Sequence, residues 1–133
     1  MGGPVTVTVV DNHDVIQRGV AAILEGVPDE FTFVGGHPDP NPLLSGSVPP
    51  PDVVVLDLWL GRDDVDSVWA IEPLRRAGSA VLLHTTEERP VRLRAAVQAG
   101  VLGLALKSDG EGAFLDVLRG VAVGEFRCTS ELA

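Results

Sequence analysis

Asp11, Asp57, Thr85 and Lys107 are polar residues that stand where aliphatic stretches run out, at residues 5–10, 53–56, 80–83 and 101–106. If those stretches are parallel strands, their carboxyl ends share one edge, where open α/β sheets place their ligands. Two carboxylates, a hydroxyl and an ammonium then meet in one crevice. Those groups suit phosphoryl transfer, whose transition state spreads negative charge over oxygens that a cation and a metal ion stabilise. Mg2+ takes carboxylate, carbonyl and water oxygens, and a carboxylate nucleophile forms an acyl phosphate. Lys107 can pair with a phosphoryl oxygen or, without phosphate, with Asp57; Thr85 can donate a hydrogen bond to the same group. Taken singly, each residue has a plainer reading: a turn former, a helix cap, a solvated lysine. The joint placement carries the information.

The elements that would position these residues are legible from periodicity. Val5 to Val10 is a β-branched run interleaved with Thr6 and Thr8, a strand pattern. Asp14 with Gln17 predicts a capping box, followed by apolar residues Val15, Ile16, Val20, Ile23 and Leu24 at helical spacing. Residues 31–34 predict a short strand. Residues 37–50 hold five prolines and leave room for at most a short helix near Leu43 and Leu44. Residues 53–56 suit a strand buried on both faces. A helix over 65–77 closed by Gly78, a strand over 80–83, and a helix from Pro90 to Ala99 capped by Gly100 follow. Residues 101–106 predict the last strand, and Ser108 with Glu111 a capping box for a helix through Val123. Strands and helices alternate about five times, the signature of a parallel sheet covered on both faces.

At 133 residues the chain fits one domain. Aromatic residues make up only 5 % of it against 45 % hydrophobic in all, so the core must be aliphatic. A formal net charge of −9 argues against direct contact with nucleic acid or anionic membranes. The single cysteine, Cys128, rules out an internal disulfide and agrees with a reducing, cytoplasmic setting. The first residues lack a signal-peptide pattern, and the apolar runs are too short to span a bilayer.

Read in order, the segments Val9-Val10-Asp11-Asn12-His13-Asp14, Val53-Val54-Val55-Leu56-Asp57-Leu58, Leu83-His84-Thr85-Thr86 and Gly103-Leu104-Ala105-Leu106-Lys107-Ser108 resemble the motifs of response-regulator receiver domains in two-component systems. No single motif is specific; the ordered set is, and it covers residues 5–123. The tail resembles the segment that leads to a helix-turn-helix domain in the NarL/FixJ (LuxR-type) subfamily. The resemblance implies a flavodoxin-like, doubly wound (βα)5 fold with a five-stranded parallel sheet. It implies a receiver over residues 1–123 and the start of a linker over 124–133, leading to a DNA-binding domain outside this chain. By the same resemblance Asp57 is the phosphoacceptor, phosphorylated by a sensor histidine kinase, and Thr85 is the switch hydroxyl. Lys107 is the lysine that pairs with the phosphoryl group. Asp11, Asn12, Asp57 and the backbone carbonyl of Trp59 are the Mg2+ ligands. A homodimer is implied, contact with DNA only through the C-terminal domain, and no enzymatic activity beyond the chain's own phosphoryl transfer and autodephosphorylation.

The chain departs from the family pattern at several positions. Asn12 stands where a second acid is usual, so Mg2+ is expected to bind weakly. Leu104 replaces the switch aromatic three residues before the lysine. Thr86 replaces a small residue, and Gly61 stands where proline is common. Asn12 and Leu104 favour an alternative, a phosphorylation-independent interaction module on the same fold; Asp57, Thr85 and Lys107 oppose it. A flavin-binding electron carrier would need a hydroxyl- and glycine-rich loop after the first strand, where Asp11 to Asp14 is acidic. An aspartyl-phosphate phosphatase would need an acid at position 59, which is Trp59. His13, His37 and His84 lack metal-ligand spacing and read as loop or packed residues. Asp63, Asp64 and Asp66 read as a loop and the first turn of a helix, where negative charge is favourable.

Overall fold

The aliphatic runs form the centre of a parallel sheet in the computed structural model, which describes residues 3–61 and 66–129. In chain order the elements are β1 (Val5–Val10), α1 (Asp14–Glu25), β2 (Phe31–His37), α2 (Asn41–Leu44), β3 (Val53–Leu56) and α3 (Val68–Arg76). They continue as β4 (Ala80–Thr85), α4 (Pro90–Ala99), β5 (Gly103–Leu106), α5 (Glu111–Ala122) and β6 (Arg127–Cys128). Sheet order is β2-β1-β3-β4-β5-β6, with every pairing parallel. The flavodoxin-like, doubly wound α/β architecture expected from the sequence is therefore present. The sheet has six strands, not five: Arg127–Cys128, in the tail read as linker, adds to the edge of β5. The expected stretch 63–65, with Asp63 and Asp64, lies outside the described residues.

Strand alternation divides the core in two. Val7, Val9, Val53, Val55, Leu82 and Ala105 pack with Val20 and Leu24 of α1 and Phe114, Leu118 and Val121 of α5. Val10, Val54, Leu56, Val81, Leu83 and Leu104 pack on the other face with Leu43, Ile71, Leu74, Leu93 and Ala96. Burial on both faces explains why the central strands are predominantly apolar, and β3 and β5 wholly so. Gly103 is where α5 approaches most closely: a Cβ there would lie 2.6 Å from Val121 and 2.8 Å from Val117. Gly100 ends α4 in a left-handed conformation, φ 110°, which glycine adopts without strain.

Two expected capping boxes do not form. α1 begins after His13, which makes no side-chain cap, and Gln17 instead donates through Nε2 to the Asp11 carbonyl at 2.7 Å. Gly110, not Ser108, precedes α5, and Asp109 accepts the Leu106 N–H at 2.8 Å. At α1 the Gln17 side chain reaches back to the end of β1, and at α5 Asp109 closes a local turn onto Leu106.

Candidate functional site

The order of strand addition reverses between β1 and β3: β2 lies to one side of β1 and all later strands to the other. This is the switch point where an open α/β sheet leaves a crevice. Asp11 and Asp57 follow the two strands that flank it, and the Asp57 N–H donates to the Val10 carbonyl at 2.9 Å. Both carboxylates are buried, 1 % and 4 % exposed. Lys107, after β5, places Nζ 2.8 Å from Asp11 Oδ2 and 3.1 Å from Asp57 Oδ2. Thr85, fully buried at the end of β4, accepts the Lys107 N–H on its carbonyl at 2.8 Å, while its Oγ1 accepts the Glu87 N–H at 3.0 Å. The four residues singled out by the sequence thus sit together at the carboxyl edge.

Burial pushes the Asp57 carboxyl above the usual carboxylate range, the neighbouring Asp11 charge adds to this, and Lys107 opposes it. Asp57 Oδ1 also accepts the Trp59 N–H at a long 3.4 Å. His13 bonds Asp11 Oδ1 twice, through its backbone N–H at 2.9 Å and through Nδ1 at 3.0 Å. Side-chain oxygens of Asp11 and Asp57 and a ring nitrogen of His13 all lie within 4.8 Å of one another. Asp11 Oδ2 is buried with no hydrogen-bonded partner, its one close contact being the ionic one with Lys107. Two buried carboxylates with spare lone pairs, one unsatisfied, fit a small divalent cation of the Mg2+ class. Asn12 is exposed at the rim, and Thr86 and Gly61 are exposed as well.

Ser67 and Glu87 had no signal in the sequence, whereas His84 is packed, as expected from its place at a strand end. Ser67, 2 % exposed, donates its hydroxyl to the Asp57 carbonyl at 2.6 Å and so fixes the backbone behind the carboxylate. It occupies the N-cap position of α3 but spends its hydroxyl on the site. Glu87, 8 % exposed, holds the loop after β4. His84 packs its ring 5.2 Å from that of Phe114 with Nδ1 unpaired; burial, then Lys107, lowers it to about 4. It lines a pocket of about 240 Å3 between α1 and α5 that reaches Lys107. Trp59 is half-buried, whereas Trp69 is exposed.

No family model matches the chain. The transcriptional regulatory protein LiaR of Bacillus subtilis (strain 168) is 26% identical over 132 residues, covering 97% of the chain and 61% of that protein. The methanol utilization control regulatory protein MoxX of Paracoccus denitrificans is 26% identical, covering 98% of the chain and 60% of that protein. The chain therefore spans about three fifths of the length of these curated relatives. Among solved structures, the isolated REC domain of RcsB from Salmonella enterica serovar Typhimurium, in the presence of the phosphomimetic BeF3-, superposes with a TM-score of 0.82. It is 20% identical and covers 97% of this chain and 96% of its own.

Proposed function

We propose that the chain is a receiver domain of the NarL/FixJ type of response regulator and acts as a phosphorylation switch with Asp57 as acceptor, a reading supported by its similarity to LiaR and MoxX and by the fold it shares with the REC domain of RcsB. The observation that carries this is the shared cation: one lysine between two buried carboxylates at the switch point of the sheet. An Asp57 oxygen attacks the phosphorus of a phosphohistidine on a sensor kinase. The P–N bond breaks, the imidazole recovers its electron pair, and an acyl phosphate forms. Lys107 pairs with a phosphoryl oxygen as charge builds there, and Thr85 Oγ1 donates to another. Asp11, Asp57, the Trp59 carbonyl and the amide oxygen of Asn12 are the proposed Mg2+ ligands. Held by these residues, Mg2+ would supply positive charge to offset that on the transferring group.

The output belongs to an effector outside residues 1–123. With a net charge of −9 the chain is unsuited to DNA, so a DNA-binding domain beyond the 124–133 segment would make that contact, with the receiver controlling dimerisation in the cytoplasm. The alternative of a phosphorylation-independent module draws on Asn12, uncharged at the rim, and on Leu104, packed in the core without a polar handle.

Intact-mass measurement after a small-molecule phosphodonor with Mg2+ separates the two. One acid-labile phosphoryl group on the protein and none on Asp57→Asn is expected. A modification that persists equally in Asp57→Asn removes Asp57 as acceptor.

A further inference from the structure

His13 reads in the sequence as a loop residue, but the fold brings its ring to the two buried carboxylates. It stands at the N-cap of α1 and makes no side-chain bond to the helix end. The ring turns to Asp11 instead, with Nδ1 3.0 Å from Oδ1. That contact is not needed to hold the turn, because the His13 backbone N–H already donates to the same oxygen at 2.9 Å. One oxygen of Asp11 thus takes both contacts from His13, while Oδ2 is buried with only the ionic contact to Lys107. Asn12, the residue between them, is exposed at the rim.

These separations match those of ligands around one ion. Two donors each about 2.1 Å from an octahedral ion lie about 3 Å apart when adjacent and about 4.2 Å apart when opposite. His13 Nδ1 and Asp11 Oδ1 stand at the adjacent spacing. One donor atom each from Asp11, His13 and Asp57 falls within 4.8 Å of the others, so closing on an ion takes about half an ångström of side-chain movement. The His13 side chain is 63 % exposed, so its ring can adjust and carry its proton on Nε2, leaving the Nδ1 lone pair for the ion.

An imidazole changes the class of ion that the crevice suits. Carboxylate, carbonyl and water oxygens alone suit Mg2+, whereas an added ring nitrogen favours borderline ions such as Co2+, Ni2+ and Zn2+. We propose that His13 Nδ1 is a third side-chain ligand beside Asp11 and Asp57, and that through this ring the crevice takes a borderline divalent transition metal in preference to Mg2+. The inference rests on the two carboxylates forming the cation site of the proposed switch. It adds a ligand and an ion class that the phosphoryl chemistry does not demand.

The test titrates the whole chain with Zn2+ and, separately, with Mg2+ by calorimetry, and follows the histidine ring nitrogens by 15N NMR. Zn2+ is expected to move the Nδ1 resonance of His13 and to leave those of His37 and His84 in place. His13→Gln should weaken Zn2+ by about tenfold or more and Mg2+ by no more than about twofold. Asp11→Asn should weaken both ions, and His37→Gln neither. Equal losses of both ions in His13→Gln overturn the selectivity, and Zn2+ binding that survives either His13→Gln or Asp11→Asn unchanged overturns the ligand assignment. Phosphoryl incorporation with Mg2+, read by intact mass on the same proteins, keeps the two readings apart. If the parent gains a phosphoryl group and His13→Gln binds Zn2+ as the parent does, the acceptor reading stands and His13 is removed as a ligand. If the parent gains none, the acceptor reading falls and the Zn2+ titration alone decides on His13.

Discussion

Lys107 Nζ stands 3.1 Å from Asp57 Oδ2, and the same nitrogen stands 2.8 Å from Asp11 Oδ2. One cation thus serves two buried carboxylates, and half of the negative charge in the crevice is uncompensated. That imbalance makes the site receptive to a divalent cation, and it adds to burial, the larger cause, in raising the proton affinity of Asp57.

The stability of the fold should therefore carry a signature of Asp57. Its folded pKa lies above its unfolded value near 3.8, so the folded state gains stability as pH falls through the folded pKa. Conversely, ionised Asp57 weakens the fold at neutral pH. Asp57→Asn should be more stable than the parent at pH 7 in urea titrations. The margin should shrink on acidification and vanish below about 3.8. A margin independent of pH would refute this.

His84 works in the opposite direction. Burial lowers it from 6.5 to about 4, so its contribution is complete above 6.5 and is lost as pH falls to about 4. That loss is on the order of 3 kcal/mol. His84→Leu, which keeps an apolar body against Phe114, should flatten the difference in unfolding free energy over this window. Parallel curves for the two proteins would assign the acid sensitivity elsewhere.

Metal affinity is expected to be limited by Asn12. Asn12→Asp restores a charge at the rim of the crevice and should tighten Mg2+ binding by about tenfold, corresponding to about 1.4 kcal/mol. Titration followed by Trp59 fluorescence, with Trp69→Phe as background, measures it. Unchanged or weaker binding would show that desolvation of the added carboxylate outweighs its attraction for the ion.

Association should respond to the acceptor. Sedimentation with and without a phosphoryl mimic at Asp57 should show a shift toward dimer, and amide exchange should change within residues 85–123. If neither quantity responds, the phosphorylation-independent module becomes the better account.

How far the sequence reaches can be judged at particular residues. Largely aliphatic runs ended by Asp11, Asp57 and Lys107 mark the central strands and their carboxyl ends, because a strand buried on both faces holds few polar residues until it leaves the sheet, Thr8 and His84 being buried exceptions. The residues that meet in the crevice are therefore legible without coordinates, as is the glycine that closes α4 at position 100. Tertiary structure alone decided the rest. Strand order brings Lys107 across to Asp11 as well as Asp57. Ser67 and Gln17 give their hydrogen bonds to the backbone of the site, not to helix ends, and Arg127–Cys128 finds an open edge on β5. The Glu87 carboxylate takes three hydrogen bonds from Arg89, two residues on, which the sequence does not announce. Periodicity records which face of an element is apolar, whereas the choice among competing hydrogen-bond partners depends on distances set by the packing of remote segments.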